Sequence, residues 1–470
     1  MASPSIVWFR DDLRVGDHPA LHAAAERGEP IVCVYVFDEE TDYSNADVFS
    51  DDSPGIRPNG GAAKWWLHHS LTALADQLDA RGLSLTLRSG PAADVIAGLQ
   101  RETKAGAVYW NRRYGLAERE LDASIKTSLK EAGVEARSFQ ANLLFEPWTL
   151  RTGQGQPYKV FTPFWRACLG APTPRHPLPA PSAGHVTGAT GANGAKAVSS
   201  EELGDWGFLP TRPDWAAGLR DTWTPGEKAA HAELRAFEKE GLGDYQRERD
   251  FPSKDSTSRM SPRLRHGEMS PFQVWHGMRD ASSADGAASF LREIGWREFA
   301  YHLLYHWPKL GTENMRPAFN AFPWNDPDPE VLGRWQQGQT GIPIVDAGMR
   351  ELWQTGVMHN RIRMVTASFL VKNLLLDWRL GEAWFWDTLV DADPASNTMN
   401  WQWVAGSGAD AAPYFRVFNP ELQAKKFDGG GEYINQYVPE AGTPGYPEPI
   451  VDLGESRKRA LAAYETIRGS

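Results

Sequence analysis

The sequence predicts an α/β domain at the N-terminus, followed by a larger all-α domain at the C-terminus. Short β-rich segments alternate with helical stretches over residues 1–140. A segment rich in Pro, Gly, Ala and Ser covers residues 141–224, and helical patterning dominates residues 225–470. With 470 residues, 41% of them hydrophobic, the chain is long enough for two or three cores. We therefore expect two domains joined by a long interdomain linker.

The first domain is predicted to contain a Rossmann-like parallel sheet. Its β-rich segments are SIVWFR, IVCVYVF, LSLTLRSG, AVYWN and VEARSFQ. Helical stretches such as AAKWWLHHSLTALADQLDA and LAERELDASIKTSLKEAG separate them, and this alternation favours right-handed crossovers between parallel strands. The turn after the first strand, RDDLRVGDHP, contains neither the GxGxxG dinucleotide motif nor a P-loop, so we expect no phosphate loop in this domain.

The second domain is predicted to begin at the tetrapeptide TPGE. Thr224 can cap a helix, Pro225 suits its first turn, and Glu227 completes a capping box. Long helices are expected to follow in GEKAAHAELRAFEKEG, AASFLREIGWREFAYHLLYHW and NRIRMVTASFLVKNLLLDW.

Composition narrows the classes of function. A formal charge of −11 argues against a protein that coats nucleic acid indiscriminately, although local clusters such as Arg361 with Arg363 are compatible with a specific site. The two cysteines, Cys33 and Cys168, can form no disulfide framework and lack the spacing of zinc ligands, so no metal is expected. No run of roughly eighteen apolar residues and no signal peptide is found, so we expect a cytoplasmic protein.

The segment STSRMSPRLRHGEMSP, residues 256–271, is a candidate phosphate site. It combines the forked cation of Arg259 with a helix start and with hydroxyl groups, which come from Ser256, Thr257, Ser258 and Ser261. Hydroxyl-rich loops are also ordinary helix caps, so this segment alone leaves both interpretations open.

Two further segments place polar side chains on otherwise apolar helices. In LREIGWREF, Glu293 and Trp296 share one helix face and could together hold a nucleobase, but an amphipathic surface helix is the simpler explanation. In MHNRIRMVTASFLVK, Asn360 and Met364 share a face. The arginines in its first turn oppose the helix dipole, which favours a bound anion.

The segment DADPASNTMNWQW groups Asp391, Asp393, Asn397, Trp401 and Trp403 within thirteen residues. In an extended segment alternate residues face the same way, so the two aspartates could converge on one ligand and the two tryptophans on another. Alternatively, Asp393 and Asn397 could simply cap helices.

Together these segments resemble the photolyase and cryptochrome family over nearly the whole chain. The resemblance is carried by VWFRDDLRVGDHPAL, TSRMS, WREF, GQTGIPIVDAGMRELWQTGVMHNRIRMVTASFLVKNLL, DADPASNTMNWQW and DAAPYFRVFNPELQAKKFD. It implies an antenna-chromophore domain, a linker and a helical FAD-binding domain. The pattern is similar to that of bacterial class I or class III members, which repair cyclobutane pyrimidine dimers in DNA; a cryptochrome-like blue-light photoreceptor is the alternative.

The resemblance implies a set of residues around FAD. Arg363 and Asp391 resemble the pair that lies against the isoalloxazine ring, and Asn397 falls where the family has the residue facing the flavin N5 atom. Asparagine at that position resembles photolyases, whereas plant cryptochromes typically have aspartate. The other implied FAD ligands are Tyr245, Thr257, Ser258, Arg259, Met260, Ser261, Arg297, Asn360, Ala392 and Asp393.

The resemblance also implies residues for the lesion and for electron supply. Trp401, Trp378 and Trp324 match the tryptophans that reduce oxidised flavin from the surface. Histidines, expected in (6-4) photolyases, are replaced here by Asn360 and Met364, which favours cyclobutane dimers. The remaining lesion and DNA contacts implied are Glu293, Trp296, Arg361, Trp403, Arg416 and Gln423.

The implied reaction starts with extrusion of the dimer from DNA; photoexcited reduced FAD then donates an electron to it and recovers the electron after the ring opens. A monomer without an obligate protein partner is expected. Two positions depart from the family pattern. Val357 replaces an aromatic residue found in several bacterial members. Glu118 resembles an acidic residue that contacts folate in some relatives, but the neighbouring Ala117 replaces their amide side chain. Methenyltetrahydrofolate is the first expectation for the antenna pigment and a deazaflavin the second.

Overall fold

The computed structural model describes residues 3–39, 56–184, 186–188, 198–279, 281, 283–411 and 415–468. Its N-terminal part is built on a parallel five-stranded sheet with strand order β3-β2-β1-β4-β5. The strands are β1 Ser5–Phe9, β2 Ile31–Phe37, β3 Leu85–Ser89, β4 Ala107–Asn111 and β5 Glu135–Phe139. Central strand β1 pairs with β2 on one side and β4 on the other, and all its residues are buried. The predicted Rossmann-like parallel sheet is therefore confirmed.

Helices cover both faces of this sheet. They are α1 Pro19–Glu26, α2 Gly61–Asp79, α3 Ala92–Thr103 and α4 Leu116–Glu131. The two faces of the sheet are buried by different helices. Leucines of α1 and α2 pack against Val7 and Cys33 on one face. Apolar residues of α3 and α4 pack against Ile6 and Val34 on the other. Successive strand residues point to opposite faces, which explains why β1 and β2 read as continuous apolar runs.

The C-terminal part is helical and contains the larger core. Two short helices, α5 Phe161–Gly170 and α6 Ala217–Thr222, lie in the predicted linker. Much of its segment GHVTGATGANGAKAVSS lies outside the described residues, and the domain limits stay a prediction. The helices that follow are α7 Glu227–Ala236, α8 Tyr245–Glu248, α9 Ser261–Arg265, α10 Pro271–Arg279, α11 Ala284–His306, α12 Pro329–Gln336, α13 Pro343–Thr355, α14 Asn360–Ser368, α15 Trp378–Thr388, α16 Ser396–Ala405, α17 Pro420–Phe427, α18 Glu432–Tyr437 and α19 Leu453–Glu465. None of the described helices is long and apolar enough to span a membrane.

The predicted capping box at the start of α7 is wrong. The residue before the helix is Gly226, and no side chain caps it. The carboxylate of Glu227 instead accepts hydrogen bonds from the backbone N–H groups of Val15 and Gly16, at 2.8 and 2.9 Å. A contact between domains, invisible in the local sequence, thus replaces the local cap.

The two parts share a buried interface formed by α2. Trp65 and Trp66 pack with Trp223 and Val390 in one apolar cluster. The indole N–H of Trp66 donates to the fully buried carboxylate of Glu268 at 2.9 Å, and that carboxylate also pairs with Arg263 at 2.7 Å. A buried carboxylate satisfied by several donors fixes the relative position of the elements that supply them.

Candidate functional site

The helical part encloses a cavity of about 1150 Å³. Residues 249–261, which precede and begin α9, form one wall. Helices α11, α14 and α16 contribute to the others, together with residues of α13, α15 and α18. The volume exceeds the roughly 300–1,000 Å³ of ordinary small-molecule sites, which suits a ligand of dinucleotide size together with a second group.

Most of the predicted site residues line this cavity. They are Tyr245, Thr257, Ser258, Arg259, Met260, Ser261, Glu293, Trp296, Arg297, Asn360, Arg361, Arg363, Met364, Asp391, Ala392, Asp393, Asn397, Trp401 and Trp403. Val357, the departure from the family pattern, lines it too. Five predicted residues lie outside its lining: Ser256, Trp378, Trp324, Arg416 and Gln423.

A charged pair lines the cavity. The guanidinium of Arg363 donates to both carboxylate oxygens of Asp391, at 2.8 and 3.1 Å, and its Nε donates to the carbonyl of Met358 at 2.7 Å. The Ser261 hydroxyl donates to Asp391 at 2.6 Å. Because Asp391 is buried and Arg363 is not, the pair presents the guanidinium to a ligand. Asp391 itself explains an arginine in the first turn of α14.

Asp393 holds the start of α16. One carboxylate oxygen accepts from the backbone N–H groups of Ala395 and Ser396, at 3.0 and 2.7 Å, and the other accepts from the Tyr301 hydroxyl at 2.7 Å. Asp393 thus binds backbone N–H groups at the start of α16, although Ala395 occupies the cap position itself, and it lines the cavity as well. The alternative interpretation of Asn397 as a helix cap is wrong, because Asn397 lies inside α16.

Asn397 lies on α16 with a defined amide orientation. Its Nδ2 donates to the carbonyl of Glu382 at 3.1 Å and to the Glu382 carboxylate at 2.8 Å. Oδ1 has no hydrogen-bond partner among the residues that the structure describes. Asn397 therefore offers the cavity an acceptor rather than a donor.

The expectation of an extended segment around Trp401 and Trp403 is wrong, because both residues lie within helix α16. Side chains two residues apart on a helix point in nearly opposite directions, because each residue rotates the helix by about 100°. Trp401 is buried and packs edge-on against Phe385, with ring centroids 4.9 Å apart, whereas Trp403 is partly exposed. The two tryptophans reach different parts of one cavity.

The predicted phosphate loop adopts an unusual backbone conformation. Arg259 has φ +53°, in the left-handed region that non-glycine residues seldom adopt. Its guanidinium donates to the carbonyl of Thr222 at 3.2 Å and lies 4.2 Å from the centre of the Trp223 ring. A strained residue held by such contacts is typical of a ligand-binding loop.

Ion pairs surround the mouth of the cavity. Glu293 pairs with Arg249 at 2.5 Å, and Arg361 pairs with Asp250 at 2.8 Å. Trp296 is fixed by Phe161 of α5, whose ring stacks on it with centroids 3.6 Å apart and planes 8° apart. The Trp296 face is thereby held in place at the entrance.

Sequence reasoning missed three residues at this site. Arg249 lies four residues after Tyr245 in a segment of alternating charges, which was the available signal. Glu382 touches Asn397 only through folding. Glu351 lines the cavity and accepts from the Tyr433 hydroxyl at 2.6 Å and from the His359 backbone N–H at 3.1 Å. Burial raises the pKa of Glu351 to about 7 and lowers the pKa of His359 to about 4.

Comparisons with known proteins agree with this site. The family model described as DNA photolyase matches residues 5–182, and the model described as the FAD binding domain of DNA photolyase matches residues 290–444. The second match includes α14, α16 and the part of α11 from residue 290 onward, and all three helices line the cavity.

Three relatives are similar over nearly the whole chain. A deoxyribodipyrimidine photo-lyase of Agrobacterium fabrum is 47% identical, with 99% of this chain and 98% of the relative covered. Cryptochrome-2 of Arabidopsis thaliana is 36% identical and covers 100% of this chain, with 80% of its own length matched. The crystal structure of a bacterial class III photolyase from Agrobacterium tumefaciens superposes with a TM-score of 0.92 at 46% identity, over 100% of this chain and 98% of that one.

Proposed function

The chain belongs to the DNA photolyase family, and on that premise we propose that it is a deoxyribodipyrimidine photolyase that uses blue light to repair cyclobutane pyrimidine dimers in DNA. One observation carries the proposal: a single cavity unites the Arg363–Asp391 pair and Asn397 with Glu293, Trp296 and Trp403. The first group suits a flavin, and the second suits an extruded pyrimidine dimer next to it.

The cavity fits FAD by its volume and by its polar groups. It offers hydroxyls and the Arg259 cation for a pyrophosphate, and an accessible acceptor at Asn397. When bound, reduced FAD supplies the light-excited electron that opens the cyclobutane ring.

The side chains at the mouth would bind and orient the lesion. Trp296 and Trp403 offer aromatic faces for the two extruded bases, and exclude water from them. Glu293 would hydrogen-bond the dimer, and Met364 would pack beside it. Extrusion is easier at a dimer than at an intact step because the damaged bases stack poorly.

Damaged DNA is the partner that this arrangement supports. Arg361 lies at the mouth, with its guanidinium 4.4 Å from the ring of Phe427 on α17. Gln423 lies four residues before Phe427 on the same helix, so it shares that face. We propose that Arg361, Gln423 and the exposed Arg416 contact DNA around the lesion, and that the protein acts as a cytoplasmic monomer.

Three tryptophans are proposed to supply electrons for reduction of oxidised flavin. Trp401 lines the cavity, and Trp378 lies with it in the same buried apolar cluster. Trp324 is partly exposed and packs against that cluster. The order from cavity to surface is what an electron path from solvent to flavin requires.

The antenna pigment is proposed to be methenyltetrahydrofolate, with a deazaflavin as the alternative. Glu118 lines a small cavity between the two domains together with Arg113 and Arg297. Its volume of about 20 Å³ accommodates little more than a water molecule, so a pigment here would lie on the surface above it. Extraction and identification of the bound pigment distinguishes the two candidates.

A cryptochrome-like photoreceptor is the second candidate function. The 36% identity to Cryptochrome-2 favours it. Against it stand Asn397, as in photolyases, and the complete set of Glu293, Trp296 and Trp403 at the mouth. The 46% identity to a class III photolyase of known structure leads us to propose class III for this chain.

The decisive experiment is repair in vitro. Purified protein with reduced flavin is mixed with thymine-dimer DNA and exposed to blue light, and restored thymines are quantified against a dark control. We expect restoration in the light only. Flavin binding without restoration would favour the photoreceptor.

A further inference from the structure

A short segment of the N-terminal domain docks on helix α15. The indole N–H of Trp386 donates to the carbonyl of Pro58 at 2.8 Å, and the backbone N–H of Gly61 donates to Asp387 at 2.8 Å. A Cβ atom at Gly60 would collide with the Trp386 carbonyl. Only glycine permits this close approach, so residues 57–61, which we call the docking segment, are held tightly against α15.

Arg57 of the docking segment reaches a buried carboxylate on α15. Its Nη1 lies 2.8 Å from both oxygens of Glu382, and its guanidinium stacks on the Trp386 ring at 4.5 Å. The Glu382 side chain is only 5% exposed, whereas that of Arg57 is 40% exposed. A carboxylate so deeply buried is destabilised if its cationic partner is removed.

Glu382 in turn fixes the amide of Asn397. Both Nδ2 hydrogens of Asn397 have acceptors on Glu382, its carbonyl and its carboxylate. A flipped amide would place Oδ1 against these two acceptors, so ionised Glu382 permits only one orientation. Loss of the Arg57 cation would leave this buried carboxylate without its charged partner, so the carboxylate would shift toward other donors and release the Asn397 amide.

We propose that Arg57 is a positioning residue for the flavin: by pairing with Glu382, it keeps the Asn397 Oδ1 atom, an acceptor, directed into the cavity. The inference rests on the proposed function, since it requires flavin in the cavity. The N-terminal domain thereby contributes a side chain to the positioning of Asn397 in the flavin site.

The direction of the effect follows from the hydrogen-bond chemistry. An acceptor favours a flavin that carries a proton on the facing nitrogen, which is the reduced form; an amide donor favours the oxidised form. Loss of Arg57 should therefore make the bound flavin harder to reduce. At a fixed potential the ratio of reduced to oxidised flavin should fall by about tenfold, as expected for loss of one hydrogen bond between Asn397 and the flavin.

The test compares Arg57→Met, Arg57→Lys and the control Asp387→Ala. Met retains an aliphatic stem over Trp386 but has no charge, and Lys restores the charge. Asp387→Ala removes another contact of the docking segment with α15 and leaves Glu382 untouched. The readouts are the midpoint potential of the bound flavin and the dissociation constant for FAD.

We expect a lower midpoint potential in Arg57→Met, partial recovery in Arg57→Lys, and the wild-type value in Asp387→Ala. In a Glu382→Gln background, Arg57→Met should add no further shift, because both act through one carboxylate. Three results would overturn the inference: an unchanged potential in Arg57→Met, an equal shift in the control, or additive shifts in the double variant. Repair by the wild-type protein would still support the proposed function in each of these cases. Wild type without bound flavin would refute both. If Arg57→Met does not fold, the midpoint potentials of Arg57→Lys and Glu382→Gln test the inference instead. Values equal to that of the wild type in both variants would overturn it.

Discussion

The cavity has two regions of different construction. Its floor consists of residues already joined by hydrogen bonds within the protein: Ser261, Arg363, Asp391, Asp393 and Asn397. Its rim consists of two ion pairs, Glu293 with Arg249 and Arg361 with Asp250. The Asp391 side chain is 3% exposed, whereas those of Glu293 and Asp250 are 31% and 38% exposed.

This difference separates a resident ligand from a transient one. Floor side chains keep their positions without a ligand, so binding requires little reorganisation, which suits a permanently held cofactor. Rim cations are neutralised by carboxylates close to solvent, and such pairs contribute little stability and exchange readily. A polyanion can therefore replace the carboxylates as the partner of the arginines, which suits DNA that binds and leaves.

Asp391→Asn should produce the largest effect, because it removes the anion from the floor. Arg363 would lose its partner inside the cavity, and Ser261 would lose its charged acceptor. We expect FAD binding to weaken at least about 100-fold and unfolding free energy to fall by about 3 kcal/mol. Flavin content after purification and denaturant unfolding measure the two effects.

The control for this variant is Asp214→Asn, which breaks the exposed pair of Asp214 with Arg220. It should change neither flavin content nor stability measurably. Full FAD affinity in Asp391→Asn would show that the floor is not the region that fixes the cofactor.

Glu351→Gln tests whether the floor of the cavity is shielded from solvent as far as Glu351. Burial raises the pKa of Glu351 to about 7 from an ordinary 4.5. Between pH 4.5 and pH 7, Glu351 is therefore protonated in the folded protein and ionised in the unfolded protein. Its contribution to stability is complete below pH 4.5 and is lost as the pH rises through 7. Relative to wild type, Glu351→Gln should gain about 3 kcal/mol of unfolding free energy across this window.

The comparison of the two proteins at each pH is essential, because His359 acts in the opposite direction. Its pKa is lowered to about 4 by burial, so it stabilises the fold as the pH rises. That contribution is present in both proteins and cancels in the difference. A difference that does not change with pH would mean that Glu351 is solvated through the cavity.

Glu293→Ala addresses the catalytic part of the rim. If Glu293 binds the dimer, repair by reduced protein should fall about tenfold while affinity for damaged DNA changes by less than about threefold. Glu293→Gln, which keeps a hydrogen-bonding group, should recover part of the rate. Equal losses of repair and affinity would instead indicate that Glu293 only positions Arg249, its partner at 2.5 Å.

The fold was largely predictable because its signals are local. Strand β2 was predicted with its observed limits, Ile31–Phe37, since a run of β-branched and aromatic residues specifies a buried parallel strand. The error at Glu227 arose where a local signal competed with a distant one: its carboxylate binds backbone N–H groups more than two hundred residues earlier in the chain.

Residues of the site were predictable from the sequence only where they lie in a recognisable motif. Asp391, Asn397 and Trp403 lie in a segment whose pattern marked them, and the cavity unites them. Arg57 and Glu382 are 325 residues apart, and neither lies in a pattern that points to the other. Pairs of this kind are created by packing between domains, so sequence periodicity contains no trace of them.

Asp250→Asn should have the smallest effect, a change in affinity for damaged DNA, and the direction of that change is informative. Arg361 is held by Asp250 at 2.8 Å, and DNA must displace that carboxylate before a phosphate can take its place. Removing the carboxylate should therefore tighten binding of damaged DNA by about fivefold, close to 1 kcal/mol, and steepen its salt dependence by about one released counterion. Asp214→Asn, with the same change in net charge and a freed Arg220 elsewhere, should leave affinity unchanged. Weaker binding in Asp250→Asn would show that the carboxylate orients Arg361 for DNA, and that the rim is preorganised in the same manner as the floor.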